Sequence, residues 1–170
     1  MLRRRIALTA LLVWMTAAGG TAQAPKSEAV ALRVVKYHEL SEAIRRNRGN
    51  VVVVDFWADF CVPCKREFPK LVALHGKYAK AGLVAMSVSL DDLASDGAKE
   101  RVQKFLTAQK ATLSNFVLDE KPEIWQAKLK VEGPPLVVVF NRQGQLEQKF
   151  VDKQVDYAAI EKLISELLKP

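Results

Sequence analysis

Two cysteines and two histidines are all that this chain of 170 residues offers as thiolate or imidazole ligands. So few cysteines exclude a small domain stapled by several disulfides. Cys61 and Cys64 also lack the second pair that a tetrahedral zinc site needs, because His38 and His75 stand apart and read as incidental surface residues. Neither a metal nor an organic cofactor is implied. No apolar run reaches the roughly 20 residues of a membrane span. Internal repeats and low-complexity linkers are missing, and no acidic residue precedes Glu28. What remains is 49% hydrophobic and 26% charged, enough to bury one core and unlike a disordered tail. The net charge of +7 raises nucleic acid as a partner. Three of the 26 basic residues, however, are Arg3, Arg4 and Arg5; without them 23 face 19 acids, an excess of +4 that needs no polyanion.

The arginines open what reads as an export signal. A positive n-region is followed by the apolar stretch Ile6 to Met15 and by the small residues of Thr16 to Ala24. Cleavage after Ala24 fits the small-x-small rule but leaves Pro25 just beyond the cut, and cleavage after Ala22 is equally open. Residues 1–24 are therefore read as a signal peptide or an uncleaved signal anchor, and residues 25–170 as one exported domain, periplasmic or held at the cell envelope. With no cysteine near the cleavage region, a lipoprotein is excluded.

After the signal, Val30 to Val35 suggests a strand and Glu39 to Arg46 a short helix ended by the Asn47 to Asn50 turn. The run Val51 to Trp57 is β-branched and apolar on both faces, as expected of a central strand. Apolar residues at helical spacing follow in Pro63 to Ala79, with the helix starting near Cys61 and closed by Gly82. Further strands are expected at Leu83 to Leu90 and Phe116 to Leu118, and helices at Lys99 to Gln109 and Lys121 to Lys128. Leu136 to Phe140 and Leu146 to Val151 read as a hairpin, and Tyr157 to Leu168 as a last helix. Strands alternating with helices predict an α/β domain whose mixed sheet is flanked by helices.

The CxxC pair falls where a buried strand meets a helix N-terminus. Unpaired amides and the helix dipole there favour a thiolate on the first cysteine. Cys61 is thus expected as the exposed nucleophile. Cys64, one turn on and directed inward, would resolve the mixed disulfide. A bridge across so short a loop does little as a staple. Pro63 suits a first-turn position, where a missing N–H costs nothing. Asp55 shares a strand face with Val51, Val53 and Trp57, which predicts a buried carboxyl with a raised pKa that can act as a general base; a surface acid at the strand end is the other reading.

The segment Asp55 to Lys65, DFWADFCVPCK, resembles the active-site segment of thioredoxins, DFWAxWCxxCK. Pro69, five residues after Cys64, matches their helix-kinking proline. Gly133-Pro134-Pro135 before Leu136 to Phe140 resembles the segment carrying their cis-proline, a role that falls on Pro135. The resemblance spans about Val30 to the C-terminus and implies a thioredoxin-like fold. Within that superfamily the chain is most similar to exported TlpA/ResA-like thiol-disulfide oxidoreductases, on the export signal, the Cys64 to Pro69 segment and an inserted helix-strand element around 91–119. That group carries a glutamate beside its redox pair at the position of Glu67; the alternative here is an ordinary solvated first-turn acid.

The resemblance also implies a client-binding surface of Trp57, Phe60, Val62, Pro63, Pro134 and Pro135, although a core role explains Trp57 nearly as well. Phe60 stands where tryptophan is usual and Leu136 where threonine is usual. Pro134 lacks the backbone N–H that normally pairs with a bound peptide. Val62-Pro63 lacks the histidine of strongly oxidising relatives, which favours a disulfide reductase. Such an enzyme implies protein thiol or disulfide clients, among them apocytochrome c haem-site cysteines and misoxidised envelope proteins, and a membrane electron donor. A monomer is expected. The alternatives are a thiol peroxidase on the same fold and a binding or chaperone module whose cysteines are only structural.

Overall fold

The computed structural model describes residues 30–151 and 153–169, so the expected signal peptide or anchor over residues 1–24 lies outside the described residues. The elements run β1 (Leu32–Val35), α1 (Tyr37–Arg45), β2 (Val51–Trp57), α2 (Val62–Tyr78), β3 (Leu83–Ser89), α3 (Ala98–Ala108), β4 (Ser114–Leu118), α4 (Pro122–Leu129), β5 (Leu136–Phe140), β6 (Leu146–Phe150) and α5 (Tyr157–Leu167). A short 3₁₀ turn, Ala79–Ala81, follows α2. Gly82 ends it at φ +99°, where a side chain would be strained.

Six strands form one sheet in the order β1-β4-β3-β2-β5-β6. β1, β4, β3 and β2 pair in parallel, while β5 and β6 run antiparallel. The valine run holds the centre because all seven residues of β2 are buried. Its alternation sorts the two layers. Val51, Val53 and Trp57 join α2, α3 and α5 through Phe68, Leu106 and Ile160. Val52, Val54 and Phe56 join α1 and α4 through Leu40 and Trp125.

The inserted element is present as α3 and β4, but its strand lies inside the sheet, between β1 and β3. It also starts two residues before the expected Phe116. The polar Ser114-Asn115 start hides this. Asn115 is buried at 3% exposure and fully used: its amide donates to the carbonyls of Ala111 and Leu113 at 2.8 and 2.9 Å, and its Oδ1 accepts from Ser87 Oγ at 3.0 Å. His75, expected on the surface, is half-buried on α2, and its Nδ1 is enclosed with no hydrogen-bond partner among the described residues.

Candidate redox centre

β2 delivers its last residue, Trp57, to the C-terminal edge of the sheet, where Ala58 to Phe60 turn the chain into α2. The Cys61 amide donates to the Ala58 carbonyl at 3.0 Å, closing the turn. Cys61 is then the N-cap of α2. Its Sγ accepts from the Cys64 amide at 3.3 Å, so one of the helix's unpaired donors points at the sulfur. Cys61 and Cys64 form a disulfide with S–S 1.97 Å.

Burial departs from the expectation of an exposed nucleophile. Cys61 is 5% exposed and Cys64 3%. The closed turn draws the Cys61 sulfur back over the helix start, and the neighbouring side chains take the surface instead: Phe60 is 73% exposed and Val62 71%. Pro63, Pro134 and Pro135 are half-buried, and the Pro134–Pro135 peptide bond is cis. Trp57 does not belong to that surface. It is fully buried, its ring centroid 5.5 Å from Phe68 and 4.7 Å from Phe105, so it supports the turn from beneath and cannot touch a client.

Asp55 is buried at 3% exposure, which removes the reading as a surface acid. Burial pushes its carboxyl up to about 7, opposed by a hydrogen bond that Tyr157 Oη donates to Oδ2 at 2.6 Å. Glu67 is the sixth residue of α2 and 7% exposed, so the reading as a solvated first-turn acid falls as well. Lys70 donates to it closely and Arg66 at 3.2 Å; these partners, Lys70 foremost, hold its carboxyl below the usual range. Asp55, Cys64, Glu67 and Tyr157 line one cavity of about 10 Å³ with Pro63 and Pro135, space for about one water. Of the residues singled out in the sequence, Asp55, Pro63, Cys64, Glu67 and Pro135 thus meet at one place, with the buried acid and the inner cysteine on the same chamber.

Two contributors were not singled out. Tyr157 appears in the sequence only as one position of an apolar stripe. Asp91 appears only as part of a polar loop, yet it is 8% exposed, accepts from the Asp59 amide at 3.0 Å and from Ser89 Oγ at 2.7 Å, and so ties the end of β3 to the turn before Cys61. Asp59 in turn pairs with Lys65 at 2.9 Å and Arg101 at 3.3 Å, the Lys65 bond first among the causes that hold its carboxyl low. Neither residue carries a local signal, because each acts across long sequence separations. Among the described residues, no group of three or more His, Cys, Asp or Glu is arranged to hold a metal ion.

Comparison with known proteins agrees with this geometry. The AhpC/TSA family pattern matches residues 21–149. The chain is 26% identical over 145 residues to sporulation thiol-disulfide oxidoreductase A of Bacillus subtilis, covering 84% of each chain. It is 24% identical over 127 residues to thiol-disulfide oxidoreductase ResA of Halalkalibacterium halodurans, covering 75% of this chain and 67% of that one. Its fold is shared with a thioredoxin-family thiol:disulfide interchange protein of Chlorobium tepidum, at TM-score 0.58 and 19% identity, over 74% of this chain and 84% of the other. With a CxxC disulfide capping the helix that leaves the central strand, the chain belongs to the AhpC/TSA family and is a thiol-disulfide oxidoreductase of the thioredoxin fold.

Proposed function

We propose that the chain is an exported protein disulfide reductase that works as a monomer at the cell envelope. Cys61 is the nucleophile and Cys64 the resolving thiol. The carrying observation is the paired setting of the two sulfurs: Cys61 Sγ receives a helix-start amide, and Cys64 shares a water-sized cavity with a buried carboxyl. The amide and the helix dipole favour negative charge on the Cys61 sulfur. That thiolate attacks a client disulfide and expels one client thiolate. Asp55 then accepts the Cys64 proton, Cys64 attacks Cys61 Sγ, and the second client sulfur leaves, so the client gains two electrons and the Cys61–Cys64 disulfide forms.

Phe60, Val62, Pro63, Pro134 and Pro135 form the client surface. Pro134 has no N–H to offer a bound backbone, so one peptide hydrogen bond is missing and apolar contact with Phe60 and Val62 carries more of the recognition. Glu67, kept ionised by Lys70 and Arg66, stands as a fixed negative charge at the cavity and makes a second charge there costlier. Export removes the protein from cytoplasmic reductants, so its disulfide must be reduced again by a donor that passes electrons across the membrane. Among the described residues no helix is long and apolar enough to span one.

This reading predicts the state of the pair in growing cells. Acid quenching followed by alkylation of the full-length protein is expected to find Cys61 and Cys64 mostly reduced, and accessible to a thiol reagent that cannot enter the cytoplasm. A mostly oxidised pair opposes the reductase direction, and protection from the impermeant reagent opposes export.

A further inference from the structure

Tyr157 opens α5 immediately after its cap, Asp156, whose carboxylate accepts from the Ala158 and Ala159 amides at 2.9 and 3.1 Å. The capped helix start fixes where the phenol ring lies. The ring is buried at 5% exposure among Ile160, Ile164 and the inner face of β2, a setting that a phenylalanine would fill equally well. The hydroxyl is the part that packing does not explain. It donates to Asp55 Oδ2 at 2.6 Å across 102 residues of sequence, the one side-chain hydrogen bond that Asp55 makes among the described residues.

We propose that Tyr157 is a positioning residue for proton transfer in the redox centre: by occupying Oδ2 it holds the Asp55 carboxyl in one orientation and leaves Oδ1 to take the Cys64 proton across the cavity that both line. The proposal rests on the reading of Asp55 as that proton's acceptor. In the step concerned, the Cys64 S–H bond breaks and its proton passes to Asp55. The sulfur then forms the bond to Cys61 Sγ as the mixed disulfide breaks and the client thiolate leaves. A neutral phenol donor also favours the carboxylate over the acid, so its loss makes Asp55 harder to ionise. Among the described residues, the other titratable groups that share a cavity with this pair are Cys64, Glu67, Lys70 and Lys77 from α2 and Glu161 from α5, while β5 and the approach to α5 present Val137 and Val155.

The test follows two successive releases of coloured thiolate when the reduced protein meets dithiobis(nitrobenzoate). The first reports attack by Cys61 and the second attack by Cys64. Profiles from about pH 5.5 to 9.5 are compared for the native chain, Tyr157→Phe, Asp55→Asn and the double variant. Tyr157→Phe is expected to slow the second release about fivefold near pH 7 and nearly tenfold below about pH 6, to move its midpoint upward by about one pH unit and to regain the native rate at high pH. Added to Asp55→Asn, it changes nothing further. A folded Tyr157→Phe protein with an unmoved profile, or with a loss uniform across pH, overturns the proposal. If Tyr157→Phe fails to fold, 3-fluorotyrosine at position 157, a stronger donor, is expected to move the midpoint downward, and an unmoved midpoint overturns the proposal too. If Asp55→Asn itself leaves the profile unmoved, the reading of Asp55 fails first and carries this one with it.

Discussion

Cys64→Ala is expected to convert the protein into a trap, and Cys61→Ala into an inert fold. The second attack owes its speed to place: α2 holds Cys64 one turn from Cys61, near enough for the bond seen in the oxidised protein. Well-oriented intramolecular groups reach effective molarities of roughly 10⁵ M or more. Removing the Cys64 sulfur therefore leaves the Cys61–client bond to be cleared by outside thiols alone. In an insulin reduction assay with a dithiol as electron source, both variants should fall below about 1% of native turnover, by the loss of the intramolecular step or of the thiolate itself. Only Cys64→Ala should accumulate a client adduct, visible on non-reducing gels and dissolved by excess dithiol. Near-native turnover in Cys61→Ala would show that the exchange runs elsewhere, and the absence of an adduct in Cys64→Ala would reverse the assignment of the two sulfurs.

The second large effect belongs to Asp55→Asn, and its sign depends on pH. Burial raises the folded-state value from 3.8 to about 7, so between these values the folded protein keeps a proton that the unfolded chain has released. Stability of the native protein accordingly falls as pH rises from about 4 to about 7 and levels off above it. Asparagine keeps the shape and the acceptor for Tyr157 but has nothing to ionise. The oxidised variant should therefore match the native protein near pH 4 and exceed it by about 2–4 kcal/mol at pH 8, read from urea unfolding at both pH values. The same substitution should slow the Cys64 attack about 100-fold at pH 8, where the native carboxyl is ionised, and far less at pH 5.5, where it already holds a proton. An equal change of stability at both pH values would place the native Asp55 titration outside this window.

Much of this centre was legible in the sequence because its parts are local. The valine run preceding a CxxC and an amphipathic helix fixes a strand-to-helix junction without reference to anything distant, and counting back from Phe140 assigns the cis bond to Pro135. What escaped depends on partners far along the chain. The burial of Cys61 follows from how its turn closes, which residue types do not encode. Trp57 is core because Phe68 and Phe105 reach it from two helices. Asp91 and Tyr157 act over separations of 32 and 102 residues, and nothing near either marks a role. The inserted strand reads as a short apolar piece because Asn115, a residue that strands disfavour, has its Oδ1 satisfied only once Ser87 of β3 lies beside it.

A disulfide reductase needs the Cys61–Cys64 pair to be a reversible couple poised to give electrons. Its reduction potential, obtained by equilibrating the purified protein with graded thiol-disulfide buffers and following the fluorescence of the buried Trp57 or the mass shift on alkylation, tests that most directly. A single two-electron transition near the thioredoxin value of about −270 mV is predicted. A value near −120 mV would make the protein an oxidant, and a pair that does not titrate reversibly would reduce the disulfide to a structural link.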